Sequence, residues 1–410
     1  MAKEMRDSGI DIIGIIPDDW DNIRLKYLAD IETGSQDTQD AIEDGEYPFF
    51  VRSPIIERIN RYVFDGEAIL MAGDGVGAGK VFHYVNEKFG CHQRVYIIHS
   101  FKNILGKYLF YYMQNLFSVE IDKGSAKSTV DSVRLPMLQG FTVCMPPVVE
   151  QKKIAGYLDI KCVEIDALSS EIQSQIDILE DYKKSVITET VARGLNPDVK
   201  MKASRIAWIS IVPAHWNFSK IKYEIFPLQR PVRPDALVMT CFRDGEVTLR
   251  QNRREDGFTI SFTENGYQGV EVGDLVIHGM DAFAGAIGCS DSRGKITPVV
   301  HVCKTTGNNR FFMYVLRSMA MNGVFMDYAE GIRVRSSDFR NFNKLGKFPI
   351  VVPPISEQNK IVSYLDNRCE KIDAIIAQKK EQLSVMADYK KSLIYEYVTG
   401  KREVPDNDEF

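Results

Sequence analysis

Residues 146–159 read PPVVEQKKIAGYLD, and residues 353–366 read PPISEQNKIVSYLD. Aligned without a gap at an offset of 207, residues 146–192 and 353–399 share 22 of 47 identities. The echo returns as DYKKSVITETV (181–191) and DYKKSLIYEYV (388–398). Upstream, DGEAILMAGD (65–74) falls on VGDLVIHGMD (272–281), so Gly66, Glu67 and Asp74 meet Gly273, Asp274 and Asp281. Nearer the start the offset slips to 196, and Pro17, Trp20, Lys26 and Tyr27 answer Pro213, Trp216, Lys222 and Tyr223. A period this long is no solenoid. It is one two-part unit, duplicated, with an insertion or deletion inside its first part.

The second part of each unit is a long helix. A proline pair suits a helix start but not its interior, and Glu150 and Glu357 then fall in the first turn, complementing the macrodipole. Leu158, Ile165, Ile172, Leu179 and Val186 recur every seven residues, joined by Leu168 and Tyr182. Leu365, Ile372, Met386 and Leu393 keep the heptad in the second copy, joined by Ile375 and Tyr389, while Lys379 breaks it. Sustained heptads predict a coiled-coil seam, each helix about 60 Å long at 1.5 Å per residue. Gly194 and Gly400 stand where C-caps are expected. Such helices can also pack each on its own domain. The narrow seam and polar opposite face favour an antiparallel pair between two globular domains.

Those domains read as mixed α/β. Apolar and alternating runs (EAILMAG, RVYIIHS, DLVIHG, VVHVCK) predict strands, and ILGKYLFYYMQNLF and RFFMYVLRSMAMNGVF predict one helix each. Their aromatic residues suit a core better than a base-stacking platform. The expected boundaries are a first domain over 1–145, a helix over 146–194, a linker over 195–212, a second domain over 213–352, a helix over 353–400 and a tail over 401–410.

The chain has 410 residues, 44% apolar and 26% charged, with a net charge of −5. No global positive field draws nucleic acid, so any such surface is local or completed by partners. Seven scattered cysteines without a CxxC pair fit a reducing cytoplasm. No segment reads as a signal peptide or membrane span.

No catalytic constellation stands out. GDGVGAGK (73–80) fails the phosphate-loop pattern at Asp74 and Val81, and its alternating glycines fit a strand end or turn with close backbone approach. The six histidines include no metal-ligand spacing. Local positive charge does stand out, at matching places. Lys123, Ser125, Lys127 and Arg134 cluster in the first domain, with Lys80 and Arg94 joining the candidates. Arg333, Arg335 and Arg340 answer in the second, where Arg243, Arg250, Arg253 and Arg254 form another group. Such side chains meet phosphate oxygens and base edges. A solvated loop has the same composition and is the reading charge alone favours; recurrence in both copies brings the DNA reading level with it for any one residue.

Together, the doubled PPxxEQ helix starts, the DYKKS echo, the IPDDW and VPAHW openings and FDGEAILMAGDGVGAGK resemble the specificity subunit of type I restriction–modification systems, over nearly the whole chain. The resemblance implies two target-recognition domains, each reading half of an asymmetric bipartite double-stranded DNA site, with the helices setting the spacer and docking partners. It implies two modification subunits that bind S-adenosylmethionine and methylate adenine. It also implies restriction subunits using ATP and Mg, and no cofactor on this non-catalytic chain. The second domain departs from the pattern in having HGMDAFAG where the first has AGDG. A stand-alone DNA-binding regulator or coiled-coil scaffold is the alternative.

Overall fold

The computed structural model describes residues 4–124, 132–253, 265–326 and 339–405, except the side chains of 120–124. Four helices carry the frame: α1 (Gly106–Gly124), α2 (Val148–Arg193), α3 (Asn309–Met321) and α4 (Ile355–Val398). Both doubled prolines lie just ahead of their helices. The chain forms two compact units: residues 1–173 with 381–410, and residues 174–380. Each unit therefore takes the start of one long helix and the end of the other.

In the first unit, β1 (Asp21–Arg24) leads to a six-stranded sheet. Its strands are β2 (Asp30–Thr33), β3 (Tyr47–Phe50), β4 (Glu57–Ile59), β5 (Phe64–Ala72), β6 (Phe82–Cys91) and β7 (Val95–His99), in the order β2-β7-β5-β6-β3-β4. The β3–β6 pairing is parallel and the others antiparallel. β8 (Thr142–Met145) then pairs with β1 and hands the chain to α2. β5 is buried on both faces along its second half: Ile69 and Met71 pack with Tyr108, Leu109, Tyr112, Met113 and Leu116 of α1, and Ala68 and Leu70 with Phe50, Phe89 and Cys91.

The second unit repeats the plan. Its strands β9 (Asn217–Lys220), β10 (Ile225–Pro227), β11 (Leu275–His278), β12 (Ile287–Cys289), β13 (Val300–Thr305) and β14 (Pro349–Val352) include a sheet ordered β10-β13-β11-β12. That order matches β2-β7-β5-β6. α3 buries Phe311, Phe312, Val315, Leu316 and Met319. The aromatic residues of both short helices are thus core. The stretch expected as a linker folds in part as a hairpin, Met201–Ile206 with Ile209–Pro213, whose Ile206, Ile209 and Val212 join the unit's core.

The repeated phrase is explained by what its side chains hold. In the first unit Glu150 accepts the indole N–H of buried Trp20 at 3.2 Å. In the second, Glu357 accepts that of Trp216 at 3.0 Å. Fully buried Gln151 accepts the Leu105 N–H at 2.7 Å and donates to the Pro146 carbonyl at 2.9 Å. Gln358 does the same with the Asn308 N–H and the Pro353 carbonyl, both at 2.9 Å. Asp159 accepts the Tyr111 hydroxyl and Asp366 that of Tyr314. Each tryptophan is closed over by the end of the other repeat's helix. Gly400 (φ +68°) abuts Trp20 and Pro17, and Gly194 (φ +73°) abuts Trp216.

Within each unit the long helices run antiparallel, since partner numbers fall on one as they rise on the other. In the first, Asp166 pairs with Lys390 at 2.6 Å and Ser169 meets the Met386 sulfur at 4.0 Å. In the second, Lys183 pairs with Asp373 at 2.6 Å, and Lys379 reaches Gln175. Lys379 thus occupies the heptad as a polar contact. Leu158, Ile165, Leu365, Ile372 and Leu393 are buried, and Ile172, Leu179, Val186 and Met386 half-buried. Leu168, Tyr182, Ile375 and Tyr389 are instead exposed, at 52, 42, 43 and 54%. The buried companions lie one residue further on, at Cys162, Ile176, Cys369 and Ile376. One residue turns a helix by about 100°, enough to exchange seam for solvent.

Candidate nucleic-acid interface

The glycine-rich stretch is a turn leaving β5. The Gly73 N–H donates to the Arg94 carbonyl at 2.8 Å, and the Val133 N–H donates to the Gly73 carbonyl at 2.8 Å. A Cβ on Gly73 would stand 3.0 Å from the Arg94 oxygen. At the end of β11 the same arrangement recurs without the same sequence. Gly279 donates to the Val299 carbonyl at 2.9 Å and accepts from Phe339 at 2.8 Å, and its Cβ would stand 2.7 Å from the Val299 oxygen. The HGMDAFAG departure is therefore one of sequence and not of backbone plan.

The next side chains build the site. Asp74 binds Arg52 at 3.1 Å through one carboxylate oxygen and Arg94 through the other. Its side chain is 15% exposed, against 45% for Arg52 and 61% for Arg94. Burial raises the Asp74 pKa, but hydrogen bonds from Arg94 and Arg52 outweigh it and hold the carboxyl below its ordinary range. Asp281, which aligns with Asp74 in sequence but stands one residue further from its turn glycine, binds Arg243 at 2.9 Å. Close backbone packing places both arginines: a Cβ on Gly77 would lie 2.5 Å from the Arg52 oxygen, and one on Gly285 2.6 Å from that of Arg243. Beside Asp281, His278 Nδ1 accepts the Asp281 N–H at 3.1 Å. Burial holds that imidazole below its ordinary pKa, against the opposing pull of Asp281.

The other candidates divide. Lys80 is exposed at the end of the glycine turn, and Arg134 is exposed one residue after Val133. Arg340 is exposed beside Gly279, whose Cβ would lie 3.0 Å from the Arg340 nitrogen. Arg250 makes a long contact, 3.5 Å, with Thr240. Arg253 is drawn onto its own hairpin by Asp244 at 2.7 Å and Glu246 at 2.8 Å, over the Phe242 ring. Ser125, Lys127, Arg254, Arg333 and Arg335 lie outside the described residues, as does the Lys123 side chain. Arg52 escaped the sequence reading because it sits alone after an apolar strand, with no motif to mark it. Among the described residues, no group of three or more His, Cys, Asp or Glu could hold a metal, and no helix is long and apolar enough to cross a membrane.

A family model for the type I restriction modification DNA specificity domain matches residues 17–177. The chain is similar to the Escherichia coli type I restriction enzyme EcoDI specificity subunit, 22% identical over 95% of this chain and 90% of that protein. It is also similar to the MjaVIII specificity subunit of Methanocaldococcus jannaschii, 24% identical over 52% of this chain and 51% of that protein. A solved chain from a study of assembly and conformational transition of the type I R-M system superposes with a TM-score of 0.63 at 12% identity, covering 94% of this chain and 99% of that one. That likeness is one of fold.

Proposed function

We infer that this protein is the DNA-sequence-specificity subunit of a type I restriction–modification complex, a recognition subunit and not the catalyst. The observation that carries the reading is a single chain with two copies of one frame, each holding an arginine on the aspartate that follows its central strand. In this reading each unit reads one half of an asymmetric bipartite site on double-stranded DNA, because the two frames display different side chains. The long helices set the gap between half-sites, so specificity adds across both.

The partners are two modification subunits and the restriction subunits. S-adenosylmethionine, ATP and Mg belong to those partners. The exposed apolar residues support twofold docking: Leu168, Val385 and Tyr389 in the first unit match Ile375, Ile178 and Tyr182 in the second at the offset of 207. Free, mostly buried thiols support a reducing cytoplasm. The test is to map methylated adenines in the host genome with and without the gene. Loss of one bipartite motif is expected, and an unchanged methylome would sink the reading.

A further inference from the structure

Resting on the DNA-recognition reading, we propose that Arg52 and Arg94 read guanines in the half-site of the first unit and Arg243 reads one in the half-site of the second, with Asp74 and Asp281 as positioning residues. In the first unit each arginine gives Nη1 to Asp74, and the Arg52 and Arg94 side chains remain 45 and 61% exposed. Arg243 gives Nη2 to Asp281.

The carboxylates decide between phosphate and base. A phosphate oxygen at these arginines would approach a fixed negative charge a few ångströms behind them. A neutral base edge suffers no such repulsion. Guanine offers two acceptors, O6 and N7, in the major groove, whereas adenine pairs one acceptor with an N6 donor that a guanidinium cannot accept from. An arginine already held by a carboxylate also loses less freedom on forming two further bonds. In each of the two units the aspartate that follows the central strand holds an arginine, although their intervening sequences differ. The recurrence is also unequal: the backbone place of Arg94 belongs to Val299 in the second unit. Among the described residues, the first unit holds two arginines on its aspartate and the second holds one.

The test uses the assembled methylase on a random-sequence DNA library, reading methylated adenines. Arg94→Ala should lose guanine preference at one position of one half-site by roughly tenfold or more, leaving the other half-site intact. Arg94→Lys should not restore it, because an ammonium lacks the planar fork. Asp74→Asn should relax the same position while the rest of the motif is kept, and Arg243→Ala a position in the other half-site. An unchanged motif in all four variants would overturn the proposal. So would loss that is uniform over sequences with a salt slope reduced by about one, the mark of phosphate contacts. A wild-type complex that marks no bipartite motif would instead defeat the underlying reading.

Discussion

Gln151 is the buried polar side chain of the first repeated phrase. It is fully buried and bridges the loop at Leu105 to the proline pair. Gln151→Ala leaves at least one buried backbone group without a partner, at about 1–3 kcal/mol each. Urea denaturation should show a loss of about that size or more, and Gln358→Ala a similar one. A second residue-scale effect concerns pH. The His83 ring lies 5.0 Å from that of Phe50, with Nε2 buried and unpartnered. Burial depresses its pKa below 6.5, against an opposing backbone bond at Ser53. The unfolded chain then binds the proton first, so the contribution to stability is full above pH 6.5 and falls as pH drops through 6.5 toward the folded value. Denaturation midpoints at pH 7.5, 6.5 and 5.5 should fall less steeply in His83→Phe than in the wild type.

At the scale of elements, the helices and the central strands were legible because pattern and burial agree. Proline pairs, heptads and terminal glycines mark α2 and α4, and EAILMAG and DLVIHG mark β5 and β11. The seam's companion positions were less so. Leu168 and Tyr389 are apolar and correctly spaced for a heptad, yet packing chose the following heptad position, held in other turns by Cys162, Ile176, Cys369 and Ile376, which is no stronger a signal. The candidate site was half legible: Arg94 and Arg243 stand in basic or glycine-rich context, whereas Arg52 reaches Asp74 only through sheet geometry. The Lys183–Asp373 and Lys390–Asp166 pairs are duplicates with the lysine in each about three-quarters shielded. Double-mutant cycles should give each about 0.2–1 kcal/mol, similar for both, and diminished in 1 M salt.

For the whole molecule, the proposed spacer role of the two long helices makes their length the quantity that couples sequence to target. Inserting four residues after Gln175 and after Gln382 adds about 6 Å to each helix, against a rise of about 3.4 Å per base pair. Methylation mapping should find the gap between half-sites longer by one or two base pairs, with both half-sites unchanged. An unchanged gap would separate the helices from spacing. Altered half-site bases would place sequence reading in the helices.

Because Trp20 is closed over by Gly400, the first unit has a timetable. Leu393, Ile394, Tyr397 and Val398 share its core with Ile16, Trp20 and Leu25. On the ribosome, the second unit's 174–380 must be made between the two portions of the first, an interval of roughly 10–40 s at 5–20 residues per second. The first unit's core thus waits for residues 393–400, and until they are made it is exposed to chaperones and proteases. A stop after Asp388 should therefore be felt hundreds of residues upstream. Hydrogen exchange would show protection lost around Ile16 and Trp20, while the sheet holding β11 and β13 stays protected.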